Sequence, residues 1–127
     1  MHYICTLIVA IASLGITGTG LGQVMSEFTD SGQTLGSSDS SSVALGDLDG
    51  DGDLDAMIVN YNNPNFVWTN DGTGTFTDSG QALGAGWGDS VALGDLDGDG
   101  DLDAMVMNNG QANTVWTNDG TGTFTDS

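Results

Sequence analysis

The chain has 127 residues, enough for one small domain, and sets 18 acidic side chains against no Lys or Arg, a formal net charge of −18. Without basic groups it cannot neutralise phosphates, and its field repels nucleic acid and anionic membrane surfaces, so no nucleic-acid partner and no membrane insertion of the mature chain are expected. Glu27 is the only Glu; the other acids are Asp, a poor helix and strand former that suits turns and the coordination of hard cations.

From Ile4 to Ile16 the sequence is mainly apolar, about the length of a signal-peptide core and short for a membrane span. Gly20 and Gly22 place small residues before Gln23, so residues 1–22 read as a signal peptide and the protein as secreted or at the cell surface. The n-region departs from the pattern, offering only the amino terminus and His2, and a buried strand or an uncleaved anchor is the alternative reading. Cys5 and His2, the only Cys and His, fall within this leader. The mature chain then has no disulfide, and metal binding or packing against further repeats must stabilise it.

Beyond the leader the sequence repeats itself. Ser42 to Met57 (SVALGDLDGDGDLDAM) recurs unchanged from Ser90, a period of 48 residues, and Val67 to Ser79 (VWTNDGTGTFTDS) recurs unchanged from Val115. Phe28 to Gly36 is an earlier partial copy of Phe76 to Gly84. The period divides the chain into a partial blade or outer strand at 23–42, a first repeat at 43–90 and a second at 91–127 that stops in mid-unit, as expected of a fragment.

Within each unit, short apolar runs rich in β-branched and aromatic residues alternate with Gly, Asp and Asn, which predicts four strands. In the first repeat these are Val43 to Leu45, Ala56 to Asn60, Asn65 to Thr69 and Thr75 to Asp78. In the second they are Val91 to Leu93, Ala104 to Asn108, Thr114 to Thr117 and Thr123 to Asp126. The third and fourth strands are joined by Asn70-Asp71-Gly72-Thr73-Gly74, whose Asp-Gly is a hairpin signal. Four strands in a unit of this length is the arithmetic of a propeller blade, so the expected fold is all-β, with tandem four-stranded antiparallel blades.

Between the first and second strands stands Asp47-Leu48-Asp49-Gly50-Asp51-Gly52-Asp53-Leu54-Asp55, repeated from Asp95 to Asp103. Five carboxylates in so short a loop repel one another unless a cation intervenes. Calcium prefers six to eight oxygens in a flexible shell, which carboxylates at alternate positions can supply. The frame starts at Asp47, with Asp49 and Asp51 following, Gly52 at the sharp turn, Asp53 able to offer its backbone carbonyl, and Asp55 closing the shell. The second loop runs through Asp95, Asp97, Asp99, Gly100, Asp101 and Asp103. An EF-hand would need a Glu at its twelfth position between helices, where this chain has Ile58 and Val106 in strands. A solvated Asp-Gly turn is the alternative without a ligand.

The D-x-D-x-D-G-x-x-D loop between two strands resembles the calcium loop of FG-GAP and VCBS repeats, and the resemblance runs from about Glu27 to the end. It implies an integrin α-subunit-like β-propeller on a secreted or surface protein, with about one Ca2+ per loop and two in this chain. It also implies that Asp47, Asp49, Asp51, Asp53 and Asp55, with Asp95, Asp97, Asp99, Asp101 and Asp103, are ligands. Two blades and a fragment cannot close a ring, so open blade edges leave room for self-association.

Trp68 and Trp116 occupy equivalent strand positions and read as packing between blades. Trp87 stands where the first copy is Ser-rich and is a candidate contact surface. Met57, Met105 and Met107 read as fillers of core gaps, and the Asn-rich stretch from Asn60 to Asn65 as a blade-edge loop. The function expected is a non-enzymatic module for adhesion or for binding an extracellular protein or glycan. The alternatives are the accessory propeller of a secreted polysaccharide-degrading enzyme and a calcium-dependent self-assembling surface or matrix protein. No catalytic residue is assigned, because the conspicuous carboxylates are already claimed by calcium.

Overall fold

The structure is a computed structural model and describes residues 27–84 and 86–127; the expected signal peptide lies outside them. Alternation of apolar and polar residues builds eight strands: β1 (Asp39–Gly46), β2 (Asp55–Tyr61), β3 (Asn65–Asn70), β4 (Phe76–Leu83), β5 (Gly88–Gly94), β6 (Asp103–Asn108), β7 (Thr114–Asn118) and β8 (Phe124–Asp126). They form two four-stranded meanders, β1-β2-β3-β4 and β5-β6-β7-β8, in which every neighbouring pair is antiparallel. The chain is therefore all-β, as the repeat predicts, with one blade-like sheet per period.

Several strands run further than the apolar runs. β1 begins at Asp39 because a bulge at Ser41 lets polar Asp39 and Ser40 pair with Tyr61 and Asn60. β4 reaches Leu83 because its polar middle is edge strand, paired only to β3. Asn60 and Asn65 lie in strands as predicted, and β2 runs one residue further, to Tyr61, leaving a connection of Asn62, Asn63 and Pro64.

The core lies between the two sheets. Met57, Val59 and Val67 of the first sheet, joined by Leu48 and Leu83, meet Ala104, Val106 and Trp116 of the second, with Phe124 closing one side and Val91 and Leu93 packed against the cluster. Fully burying side chains of this size contributes about 1.5–3 kcal/mol each. The Ser41 hydroxyl lies within hydrogen-bond reach of both Gly88 O of the other sheet, at 2.7 Å, and Val59 O of its own, at 3.1 Å, so its single proton is shared between the sheets.

Identical residues meet different surroundings because, among the described residues, each sheet packs on the other through one face only. Met57 is 0% exposed but its copy Met105 is 41% exposed, and Leu48 is 1% exposed against 48% for Leu96. Met107 is likewise exposed, so of the three methionines read as core fillers only Met57 is one. The reverse holds on the opposite face, where Val43 and Leu45 are exposed while Val91 and Leu93 pack on the core. Trp116 is buried between the sheets as expected, and its indole N–H donates to Thr114 Oγ1 at 3.1 Å. Phe66 stands in the equivalent place in the first sheet, and the buried Trp68 N–H has no partner among the described residues.

A glutamine joins each sheet to the segment before it. Gln81 on β4 donates Nε2–H to Gly122 O (2.6 Å) and accepts from Phe124 N (2.8 Å) on the next sheet. Gln33 makes the same pair with Gly74 O (2.7 Å) and Phe76 N (2.8 Å). Residues 27–36 thus hold the place of an outer strand against the first sheet without forming one.

The inter-sheet contact constrains Gly88, where an added Cβ would overlap Val59 Cγ1, whereas a Cβ at Gly94 would meet only Leu96 Cδ2 at 3.9 Å. Gly88→Ala should cost about 1–3 kcal/mol by overpacking and lower the melting temperature by several degrees. Gly94→Ala should stay within about 0.5 kcal/mol. Thermal unfolding of the two variants side by side checks the packing of the sheets.

Candidate metal centre

Each Asp loop leaves its sheet at the end of β1 or β5 and returns through a buried carboxylate at the start of the next strand. Asp55, 0% exposed, accepts from Leu48 N through one oxygen and from Asn70 N through the other, both at 2.8 Å. Asp103 does the same with Leu96 N at 2.8 Å and Asn118 N at 2.9 Å. One side chain so fixes the start of the loop and the end of the hairpin strand. The Asn118 backbone N–H, helped by that of Leu96, holds the Asp103 carboxyl below the ordinary aspartate value.

The other carboxylates first serve the loop backbone. Asp47 accepts from Gly50 N (2.8 Å) and Gly52 N (3.0 Å), Asp49 from Asp51 N (3.3 Å), and Asp51 from Asp53 N (2.9 Å). Gly50 and Gly52 have φ of 80° and 93°, a region that L side chains rarely adopt. The loop is coiled inward on its own acids.

Oxygens of Asp47, Asp49 and Asp55 come within 4.8 Å of one another in the first loop, and those of Asp95, Asp97 and Asp99 do so in the second. An ion bound at roughly 2.3–2.6 Å can span oxygens separated by about that distance. The donor set, hard carboxylate oxygens with no nitrogen or sulfur, fits calcium. The Asp residues at positions one and three of the frame are shared between the copies; the third member is the buried strand Asp in one and the position-five Asp in the other. Asp51 and Asp103 therefore stand outside the trio of their own loop while their copies stand inside. Asp53 and Asp101 join neither group and lie over Gly72 and Gly120 of the hairpin turn, where an added Cβ would overlap their carboxylates.

The crowding is visible in the acids. Asp49 is raised above the ordinary value, chiefly by loss of solvent and then by the charges of Asp55, Asp51 and Asp47. Asp97 is pulled down by the Asp99 backbone N–H, but loss of solvent and the charges of Asp99 and Asp103 leave it raised overall. In the hairpins the order reverses. Thr73 donates Oγ1–H to Asp71 Oδ1 at 2.6 Å and Thr121 does so to Asp119, so both carboxyls are lowered.

The two loops differ in their support. The second hairpin packs against the first loop: Asn118 Nδ2 donates to Leu48 O at 2.8 Å, and Gly120 and Gly122 lie close to Gly50 and Asp49. A cleft of about 210 Å³ between the loops is lined by Asp47 and Gly50 from one and Gly100 and Asp101 from the other. The second loop has no such neighbour among the described residues, and Asp95 to Gly100 are exposed.

Residues 47–106 match the FG-GAP-like repeat. The matched span runs from the first acid of one loop through β2 to β5 and the second loop into β6. Over that span the match agrees with the repeat family expected from the loop sequence. Neither the curated proteins nor the solved structures yield a match.

The aromatic Tyr61 was not signalled by the Asp motif, yet it departs from the period, since Asn109 stands 48 residues on. It lies at the end of β2 remote from the loops and touches Trp87. Breaks in the repeat are the signal that finds it.

The acid shifts fix the pH response of the metal-free chain. Asp49 and Asp97 have folded values above the ordinary 3.8, so they oppose folding at neutral pH and are relieved as the pH falls towards 3.8. Asp71, Asp103 and Asp119 have folded values below 3.8, so their contribution is full above 3.8 and is lost as the pH falls through those lower values. The melting temperature in chelator should therefore rise from neutral pH towards about 4 and fall below it. Melting curves across that range, with and without divalent cation, check this; a saturating cation should flatten the rising arm.

Proposed function

We propose that the chain is a calcium-rigidified propeller module that works outside the cell by binding or adhesion and not by catalysis. The observation that carries this reading is the convergence of three loop carboxylates within 4.8 Å in each copy, in a protein with no Lys or Arg to neutralise them. Asp47, Asp49, Asp51 and Asp55 would hold one ion and Asp95, Asp97, Asp99 and Asp103 the other. The ion would supply the positive charge that the loop lacks and lock the β1–β2 and β5–β6 connections. Asp53 and Asp101 would support the hairpin, with their backbone carbonyls free to face the ion.

The two sites should be unequal, because the first loop is buttressed by the neighbouring sheet and the second, among the described residues, is not. A preorganised loop gives up less freedom on binding. Calorimetric titration of the full chain with calcium should give two sites, the tighter abolished by Asp49→Asn and the weaker by Asp97→Asn. At calcium a hundredfold above the dissociation constant, each site should add about 2.7 kcal/mol of stability. A single weak, salt-screened phase unaffected by either variant would sink the assignment.

A second reading, association of copies, is supported by the exposed faces. Val43 and Leu45 at one end, with Leu96 and Met105 at the other, repeat the residues that pack together between the sheets. The ends are two halves of one interface, and such head-to-tail contacts generate rings or filaments. Sedimentation velocity should show concentration-dependent growth, suppressed when Met105 and Met107 are replaced by Gln.

A further inference from the structure

The end of the sheets opposite the Asp loops carries a different kind of surface. Tyr61 closes β2 there and Trp87 precedes β5, and with Asn109, Gly110 and Gln111 from the β6–β7 connection they line an open cleft of about 360 Å³. Both aromatic residues are 39% exposed, in an edge-to-face contact with ring centroids 5.0 Å apart and planes at 83°.

The cleft is held open by backbone. Trp87 has φ of 78°, uncommon for a bulky residue and found where the surroundings over-determine it. The surroundings here are a hydrogen bond from Asn109 N to Trp87 O at 2.8 Å and the close approach of Gly86 to Asn62, where an added Cβ would lie 3.1 Å from Asn62 Cα. Gly88 on the other side is pinned by Val59. A glycine would meet the torsion without strain, yet the position carries the largest side chain. The first copy has Asp39 at this place and the second has Asn109 in place of Tyr61, so packing of the repeat requires neither ring.

We propose that this cleft is a binding site for a neutral saccharide. Its lining bears no charge, and a chain of net charge −18 repels anionic ligands. A sugar ring presents a flat C–H face and a rim of hydroxyls. The aromatic wall suits the first, and the Asn109 and Gln111 side-chain amides, which make no hydrogen bond among the described residues, offer a donor and an acceptor each for the second. An organic cation is the other ligand that aromatic rings attract. Rings in contact at 5.0 Å leave no room between them for it, and no carboxylate lines the cleft. The site rests on the reading of the chain as a binding module but not on calcium: the six residue steps of β2 from Asp55 to Tyr61 span roughly 20 Å.

The test titrates the full chain by calorimetry with neutral hexasaccharides of glucose, mannose and galactose, and with choline and oligolysine, in calcium and again in chelator. Trp87→Asn is the decisive variant, because Asn tolerates positive φ and keeps the backbone while deleting the ring; circular dichroism and melting verify its fold. Saturable binding of at least one hexasaccharide, weakened tenfold or more by Trp87→Asn and several-fold by Gln111→Ala, is expected. Binding of choline or oligolysine alone, no binding across the panel, or sugar binding indifferent to Trp87→Asn in a folded variant would overturn the proposal. Saccharide binding in a chain that fails to bind calcium would separate this site from the metal reading.

Discussion

Each sheet of this protein is apolar on both faces, and everything else follows from that constraint. A four-stranded meander with Val43 and Leu45 on one side and Met57 and Val59 on the other cannot face water on either side without cost. It must be covered twice, and another unit of the same kind covers it best, because the two faces are complementary by construction. The described residues contain one such junction, and the difference between β2, buried along almost its whole length, and β6, where alternate residues are exposed, measures what a neighbour does. The same junction forces glycine at position 88, where the first copy has Ser40, and buttresses one Asp loop but not the other.

The second governing interaction is the buried aspartate at the start of β2 and β6. A carboxylate sealed from solvent is costly unless its oxygens are paired, and here both oxygens of Asp55 receive backbone N–H groups from two different connections. That arrangement fixes the root of the loop without any ion. The outer acids are left to hold the loop backbone while crowding one another. The shifts record the tension: acids that accept from well-placed donors are lowered, while those pressed against other acids are raised. A loop so arranged is close to folded in the absence of metal but short of positive charge.

Much of this could be read from the sequence. The period, the four strands per unit, the hairpin at Asp71-Gly72 and the two Asp loops all rest on local chemistry, which the residues carry with them. Three things were not legible, each for a physical reason. Strand ends such as Asp39 and Leu83 are polar or edge positions, where pairing extends beyond the apolar signal. The exposure of Met105 and Met107 depends on what lies next to the second sheet, which no local pattern encodes. The split of the acids into a converging trio, a buried tie and a hairpin prop depends on side-chain directions that alternate spacing alone does not determine.

The repeat also sorts structure from function in a way that a unique sequence does not. Positions kept over 48 residues, among them every acid of the loops, the hairpin and the Trp of β3 and β7, are those that each sheet needs to fold and meet its neighbour. Some positions that break the period, Val59 and Gly88 among them, still serve the junction between the sheets, but others are free of that demand. Of these, Tyr61 against Asn109, Trp87 against Asp39 and Gly86 against Ser38 fall together at one end of the molecule. Chance divergence would scatter such differences over exposed sites of both sheets. Their convergence on one cleft, with a bulky ring held at a positive φ, separates a variable end of the strands from the invariant end that carries the Asp loops.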